Sequence, residues 1–129
     1  MPHLSIDYSP SLDSRVDVAA FCRIMHAALV ASPDFPTAGI RVRAHRADHA
    51  IVADGDAKTD FLAMTLSVGA GRDHAQLKDA GNALFAAAQS FLEEPLSTPY
   101  FALSLEIRVL DPELSWKDTP IHARLSGHK

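Results

Sequence analysis

Hydrophobic and polar residues alternate from the start of the chain, with Leu4, Ile6 and Tyr8 on one face and His3, Ser5 and Asp7 on the other. A period of two is the pattern of a half-buried strand. It lapses through Ser9-Pro10-Ser11-Leu12-Asp13, which reads as a loop. A different period follows: Val18, Phe21, Cys22, Met25, Ala28 and Leu29 recur at three and four residues. That spacing predicts a helix from near Ser14 to about Val30. Ser14 and Asp17 have the spacing of a capping box, with Asp replacing the usual Glu or Gln. Pro33 and Pro36 end the helix, because proline cannot supply the N–H that continuation needs.

Alternation returns at 40–46, where Ile40, Val42 and Ala44 interleave with Arg41, Arg43 and His45. A short strand over about 49–53 is expected after an Ala47-Asp48 turn, followed by a turn at Asp54-Gly55-Asp56. Residues 61–68 form a further strand that runs into Gly69-Ala70-Gly71-Arg72. The second helix is strongly marked. Asp73 is a good cap with Gln76 three residues on, and Leu77, Ala80, Gly81, Leu84, Phe85, Ala88, Phe91 and Leu92 keep helical period. Pro95 and Pro99 bracket a loop, and 101–109 is a strand. The tail contains a turn at Asp111-Pro112 and a short strand through 121–125.

The order strand–helix–strand occurs twice, over about 2–46 and 61–109, in two copies of nearly equal length, with a tail over 110–129. Helical crossovers of this size join parallel strands with right-handed connections. The expected fold is α+β in two layers: a four-stranded mixed sheet with both helices on one face. The other face is expected to carry enough apolar residues to need a cover, for which another subunit is the natural candidate.

Length and charge narrow the picture. A chain of 129 residues suits one domain, and a hydrophobic content of 47% is sufficient for a real core. A formal net charge of -4 argues against general nucleic-acid binding, which needs a basic face. The single cysteine, Cys22, excludes an intramolecular disulfide framework and is expected as a small buried apolar residue. The N-terminus has no basic start or apolar h-region, and no run approaches a membrane span of about 20 residues. A cytoplasmic protein is expected.

Several constellations could carry chemistry. Removing Met1 would leave Pro2 with a free secondary amine at the start of a strand; alternatively, Pro2 merely begins that strand, a position proline tolerates. Gly69-Ala70-Gly71 lacks the third glycine of a dinucleotide fingerprint. As a turn before a helix it offers backbone N–H groups, and Arg72 adds a charge, which would suit a carboxylate or phosphate. Arg41 and Arg43 share a strand face and repel unless an anion joins them; a solvated edge strand is the plainer alternative. His45 and His49 have ligand spacing only on a helix, whereas they fall on a strand and turn, so no metal is expected. Asp54-Gly55-Asp56 lacks the rest of a calcium loop.

Met-Pro-His at the start, Gly39-Ile40-Arg41, Ala53-Asp54-Gly55, Thr65-Leu66, Gly69-Ala70-Gly71-Arg72, Ala80-Gly81, Leu110-Asp111-Pro112 and Ile121-His122-Ala123 stand in one register over essentially the whole chain. Together they resemble the 5-carboxymethyl-2-hydroxymuconate Δ-isomerase family of the tautomerase superfamily. The resemblance implies a homotrimer of β-α-β-β-α-β subunits with sheets inward and sites near subunit boundaries. It implies cofactor-free isomerisation of a small di- or tricarboxylate in homoprotocatechuate (4-hydroxyphenylacetate) degradation. Pro2 matches the catalytic amino-terminal proline, and Arg41 and Arg72 match active-site arginines; Arg43, the same-face neighbour of Arg41, is a further substrate-binding candidate. Ser115-Trp116-Lys117-Asp118 departs from the family pattern. The alternatives are another tautomerase-type reaction on an α-keto or enol acid, and a noncatalytic trimeric carboxylate-binding protein.

Overall fold

Residues 1–126 are described by a computed structural model. Four strands form one sheet: β1 (His3–Tyr8), β2 (Arg41–Arg46), β3 (Asp60–Val68) and β4 (Phe101–Val109), in the order β2-β1-β3-β4. β1 pairs with β2 and β3 with β4 in parallel, while the central β1–β3 pair is antiparallel. The two expected strand–helix–strand units are therefore present, joined back to back. α1 (Val18–Ala31) and α2 (His74–Phe91) supply the crossovers.

The period-two residues do what their spacing predicts. Leu4, Ile6 and Tyr8 of β1 and Leu62, Met64, Leu66 and Val68 of β3 are buried against Phe21, Met25 and Leu29 of α1 and Leu84 and Ala88 of α2. Each fully buried large apolar side chain contributes about 1.5–3 kcal/mol. The rings of Phe21 and Phe91, 5.8 Å apart and tilted, join the two helices.

α2 begins with a complete capping box: the Gln76 N–H donates to Asp73 at 2.8 Å, and the Asp73 N–H donates to the Gln76 side chain at 3.0 Å. α1 differs from expectation. Its cap is Asp17, which accepts from the Ala20 N–H at 3.0 Å, and Ser14 instead donates to the Ser11 carbonyl. A 3-10 turn at Pro10–Ser14 buries Leu12, and this tight turn delays the helix to Val18. Cys22 is half-buried rather than buried.

No strand forms at 49–53. Edge strand β2 stops at Arg46, Ile51 is 91% exposed, and a turn with Ala53 and Gly55 at positive φ breaks the segment. After α2, the expected loop contains a short helix α3 (Glu93–Leu96), whose first turn accommodates Pro95 because no N–H is needed there. The expected tail strand at 121–125 is helical, α4 (Pro120–Ser126). Ile121, Ala123 and Leu125 fit a period of two, but Ile121 and Leu125 also stand one helical turn apart, and Pro120 is suited to a first helical position. The remainder of the expected tail, 127–129, lies outside the described residues. No helix among the described residues is long and apolar enough to cross a membrane.

The sheet face away from the helices is not the apolar surface expected. Its register rows run Arg41–His3–Ser67–Arg108, Arg43–Ser5–Thr65–Glu106 and His45–Asp7–Ala63–Ser104, with Phe61 and Ala102 at the end. Alternation assigns the large aliphatic residues to the helix side, so this face is polar and small. A partner covering it would do so mainly by polar complementarity. Large exposed apolar side chains lie instead in the segment after β4, at Leu114 and at Trp116, which is 84% exposed.

The sheet end where β3 starts holds a buried polar cluster. Asp60, 1% exposed, accepts from the Ser9 and Ser11 hydroxyls at 2.6 and 2.5 Å and from the Arg15 guanidinium at 2.9 Å.

Candidate active site

The strand directions bring the starts of β1 and β2 together with the ends of β3 and β4. His3 stands between Arg41 and Ser67, and Val68 beside Val109. Pro2, Arg41 and Arg72 therefore meet at one pole despite their separation in sequence. Pro2 is fully buried, and its carbonyl accepts from the Arg41 N–H at 3.0 Å.

The chain enters this pole between two glycines. A Cβ placed on Gly39 would come within 3.1 Å of the Met1 Cα, so a side chain there would have to displace Met1 by a few tenths of an ångström. A Cβ on Gly69 would lie 3.7 Å from the α-amine nitrogen, which locates the amine at the end of β3.

Both arginines are held by backbone carbonyls. Arg41 donates to Ala38 and Ile40 at 2.9 and 3.1 Å. Arg72 donates through Nε to Asp34 at 3.0 Å and through Nη1 to Gly69 at 3.3 Å, with its guanidinium 4.9 Å above the Phe35 ring. Neither forms a salt bridge among the described residues. Their charge is fixed in place without being neutralised, which suits an incoming carboxylate.

The effect on the amine is direct. Burial first, then the charges of Lys117, Arg72 and Arg41, push the α-amino group below its ordinary value. Desolvation and like charge both disfavour the ammonium form. The His3 imidazole is pushed down by burial and then by Arg41, Arg43, the amine and Lys117, and its Nε2 is buried without a partner among the described residues. In this chain the amine belongs to Met1; Pro2 nitrogen is a tertiary amide with no basicity.

Pro2, Arg41 and Arg72 are thus gathered around one amine. Arg43 lies two residues farther along β2, exposed, and its charge acts on His3 but is not among the influences on the amine. The turn before α2 also works differently from the expected anion cradle. The Asp73 carboxylate occupies the first helical turn, so Arg72, rather than helix N–H groups, makes that end attractive to anions. Gly71, at φ +119, permits the sharp turn that returns Arg72 toward Gly69.

The Lys117 charge at this pole is not marked by the sequence pattern. Nothing in its local spacing marks a site residue; the relevant signal is that the tail departs from the same pole. A groove of about 860 Å³ lies along the outer edge of β2 among Tyr8, Arg15, Cys22 and Arg43, and includes neither Pro2, Arg41 nor Arg72. Burial pushes the Tyr8 and Cys22 groups on that groove up, which favours their neutral forms, whereas the amine at the N-terminal pole is pushed down toward its basic form.

A curated 5-carboxymethyl-2-hydroxymuconate Delta-isomerase of Escherichia coli is 33% identical over 123 residues, covering 95% of this chain and 98% of that protein. The crystal structure of a 5-carboxymethyl-2-hydroxymuconate isomerase from Deinococcus radiodurans R1 superposes with a TM-score of 0.88 at 33% identity, covering 95% of this chain and 92% of that one. At 16% identity and a TM-score of 0.56, a fused "4-OT" protein described as a symmetric trimer shares the fold over 81% of this chain and 84% of its own. The family described as 5-carboxymethyl-2-hydroxymuconate isomerase matches residues 2–125, and with the relatives' near-complete coverage this establishes that the chain belongs to that family.

Proposed function

We propose that this chain is a cofactor-independent isomerase of 5-carboxymethyl-2-hydroxymuconate, with the amine of Pro2, freed by removal of Met1, as its general base and acid. The observation that carries the reading is the α-amine lowered by burial and by Lys117, Arg72 and Arg41. The Pro2 nitrogen lies one residue deeper, where the chain is fully buried. Desolvation acts on it in the same direction.

The neutral amine takes the proton of the 2-hydroxyl group, leaving a dienolate whose charge spreads over the oxygen, C3 and C5. The resulting ammonium returns the proton to C5. The 2-hydroxyl has then become a 2-oxo group and the remaining double bond joins C3 and C4. Atoms and charge balance, and one group with a pKa near working pH serves both steps. Arg41 and Arg72 hold carboxylates and stabilise the developing oxyanion, an effect worth about 2.7–4 kcal/mol per well-placed donor. Arg43 extends the positive surface by which the anion approaches.

The working form is a homotrimer of single-domain subunits acting in homoprotocatechuate degradation in the cytoplasm. The symmetric-trimer description of a fold relative supports that assembly. The test is an ultraviolet assay of dienol loss on protein whose N-terminus is verified by mass spectrometry. Processed Pro2→Ala is expected to lose about 10²–10⁴-fold in kcat while folding normally. Wild-type rates in that variant, or in protein retaining Met1, would refute the proline assignment.

A further inference from the structure

The tail reaches the same pole by a route the topology fixes. The Leu110 N–H donates to the Val68 carbonyl at 2.8 Å, so the tail leaves beside the end of β3. It finishes in α4, which packs on the 3-10 turn Thr37–Gly39 that leads into β2. His122 and Leu125 face Phe35 and Ala38 across a groove of about 570 Å³. β4 and β2 are the outer strands, so residues 111–119 bridge from the end of β4 to the turn before β2, at the pole where β3 ends and β1 begins. Three strand spacings are about 14 Å. Nine extended residues reach about 30 Å, and the turn Pro112–Leu114 takes up slack.

Lys117 lies on this strap. Its ammonium has no hydrogen-bond or salt-bridge partner among the described residues, in contrast to the two anchored guanidinium groups. The substrate proposed above carries three carboxylates, one of them on a flexible carboxymethyl arm. Two fixed forks suit two carboxylates of the planar conjugated frame; a compact charge on a flexible stem suits the third.

Resting on the isomerase reading, we propose that Lys117 is a specificity-determining residue, the third cation of the site, which binds the carboxylate of the carboxymethyl arm. It selects the tricarboxylate over 2-hydroxymuconate, which lacks that arm. Its charge also acts on the amine more strongly than either arginine does, in keeping with a position over the pole.

The experiment compares kcat/KM for 5-carboxymethyl-2-hydroxymuconate and 2-hydroxymuconate in wild type, Lys117→Ala and Lys117→Arg. Measurements belong on the pH-independent plateau, where a changed amine pKa has no effect. Lys117→Ala is expected to lose about 10–100-fold on the tricarboxylate, mainly through KM, as for one charged hydrogen bond. The loss on 2-hydroxymuconate is expected to stay within about 3-fold, because that substrate has no third carboxylate to lose. Lys117→Arg is expected to restore most of the preference. Equal losses on both substrates, or none on the tricarboxylate, overturn the assignment. If wild type turns over neither compound, the isomerase reading fails separately. Calorimetry with propane-1,2,3-tricarboxylate and glutarate then decides the Lys117 assignment: a tricarboxylate preference lost in Lys117→Ala supports it, and an unchanged preference overturns it.

Discussion

Replacing Asp60 with alanine removes a buried carboxylate from the sheet end opposite the amine. Burial favours its neutral form, but hydrogen bonds from Ser11, Ser9 and Arg15, with the Arg15 charge, outweigh that and hold the carboxyl below its ordinary value. Deleting one partner of a buried ion pair costs about 3–5 kcal/mol. Arg15 retains 28% side-chain exposure and Ser11 is exposed, so water recovers part of the loss. Ser9 still accepts from the Phe61 N–H at 3.0 Å. The expected cost is therefore near the lower limit, about 3 kcal/mol, or roughly 10–15 °C in Tm for a chain of this length. Urea unfolding followed by circular dichroism measures it at one fixed protein concentration, because association shifts apparent stability. A folded pKa below the unfolded one gives stabilisation that is complete above about pH 3.9 and lost as pH falls through the folded value. The gap between wild type and variant should therefore close only in acid. A loss under about 1 kcal/mol at neutral pH, or a gap that persists below the folded pKa, would refute this account. The folded variant should keep wild-type kcat/KM.

Arg72→Lys keeps the charge but loses the hold on Asp34 and Gly69 and the position over Phe35; kcat/KM should fall about 10–100-fold, and unchanged kinetics would locate the anion site elsewhere. In a pH profile, the proposed base is the neutral Pro2 amine, and the burial and cations that lower the α-amine at this pole act on it in the same direction. Thus kcat/KM should fall as pH drops through a value below about 8 and stay level above it; a midpoint at or above about 8 contradicts the tuning.

The duplicated strand–helix units were legible because period-two and period-3.6 segments are long here and end at glycine or proline. The Asp73–Gln76 box was legible because both partners are local. The start of α1 was not: two acceptable caps, Ser14 and Asp17, stand three residues apart, and burial of Leu12 decides between them. The tail defeated pattern reading because five residues alternating by two also fit one helical turn. At the site, Pro2, Arg41 and Arg72 could be marked from residue type and resemblance, whereas Lys117 depends on where a strap crosses the sheet.

That strap also carries the chain's single tryptophan, Trp116, next to Lys117 and open to solvent. The tryptophan emission of the protein therefore originates at one spot on the tail. An anion seated on Lys117, as proposed, would change the field at the indole, and a neighbouring subunit laid over Leu114 and Trp116 would replace water around it and move emission to the blue. The two signals separate by dilution, since only the second depends on protein concentration. Site occupancy and subunit association thus share an optical reporter that needs no label.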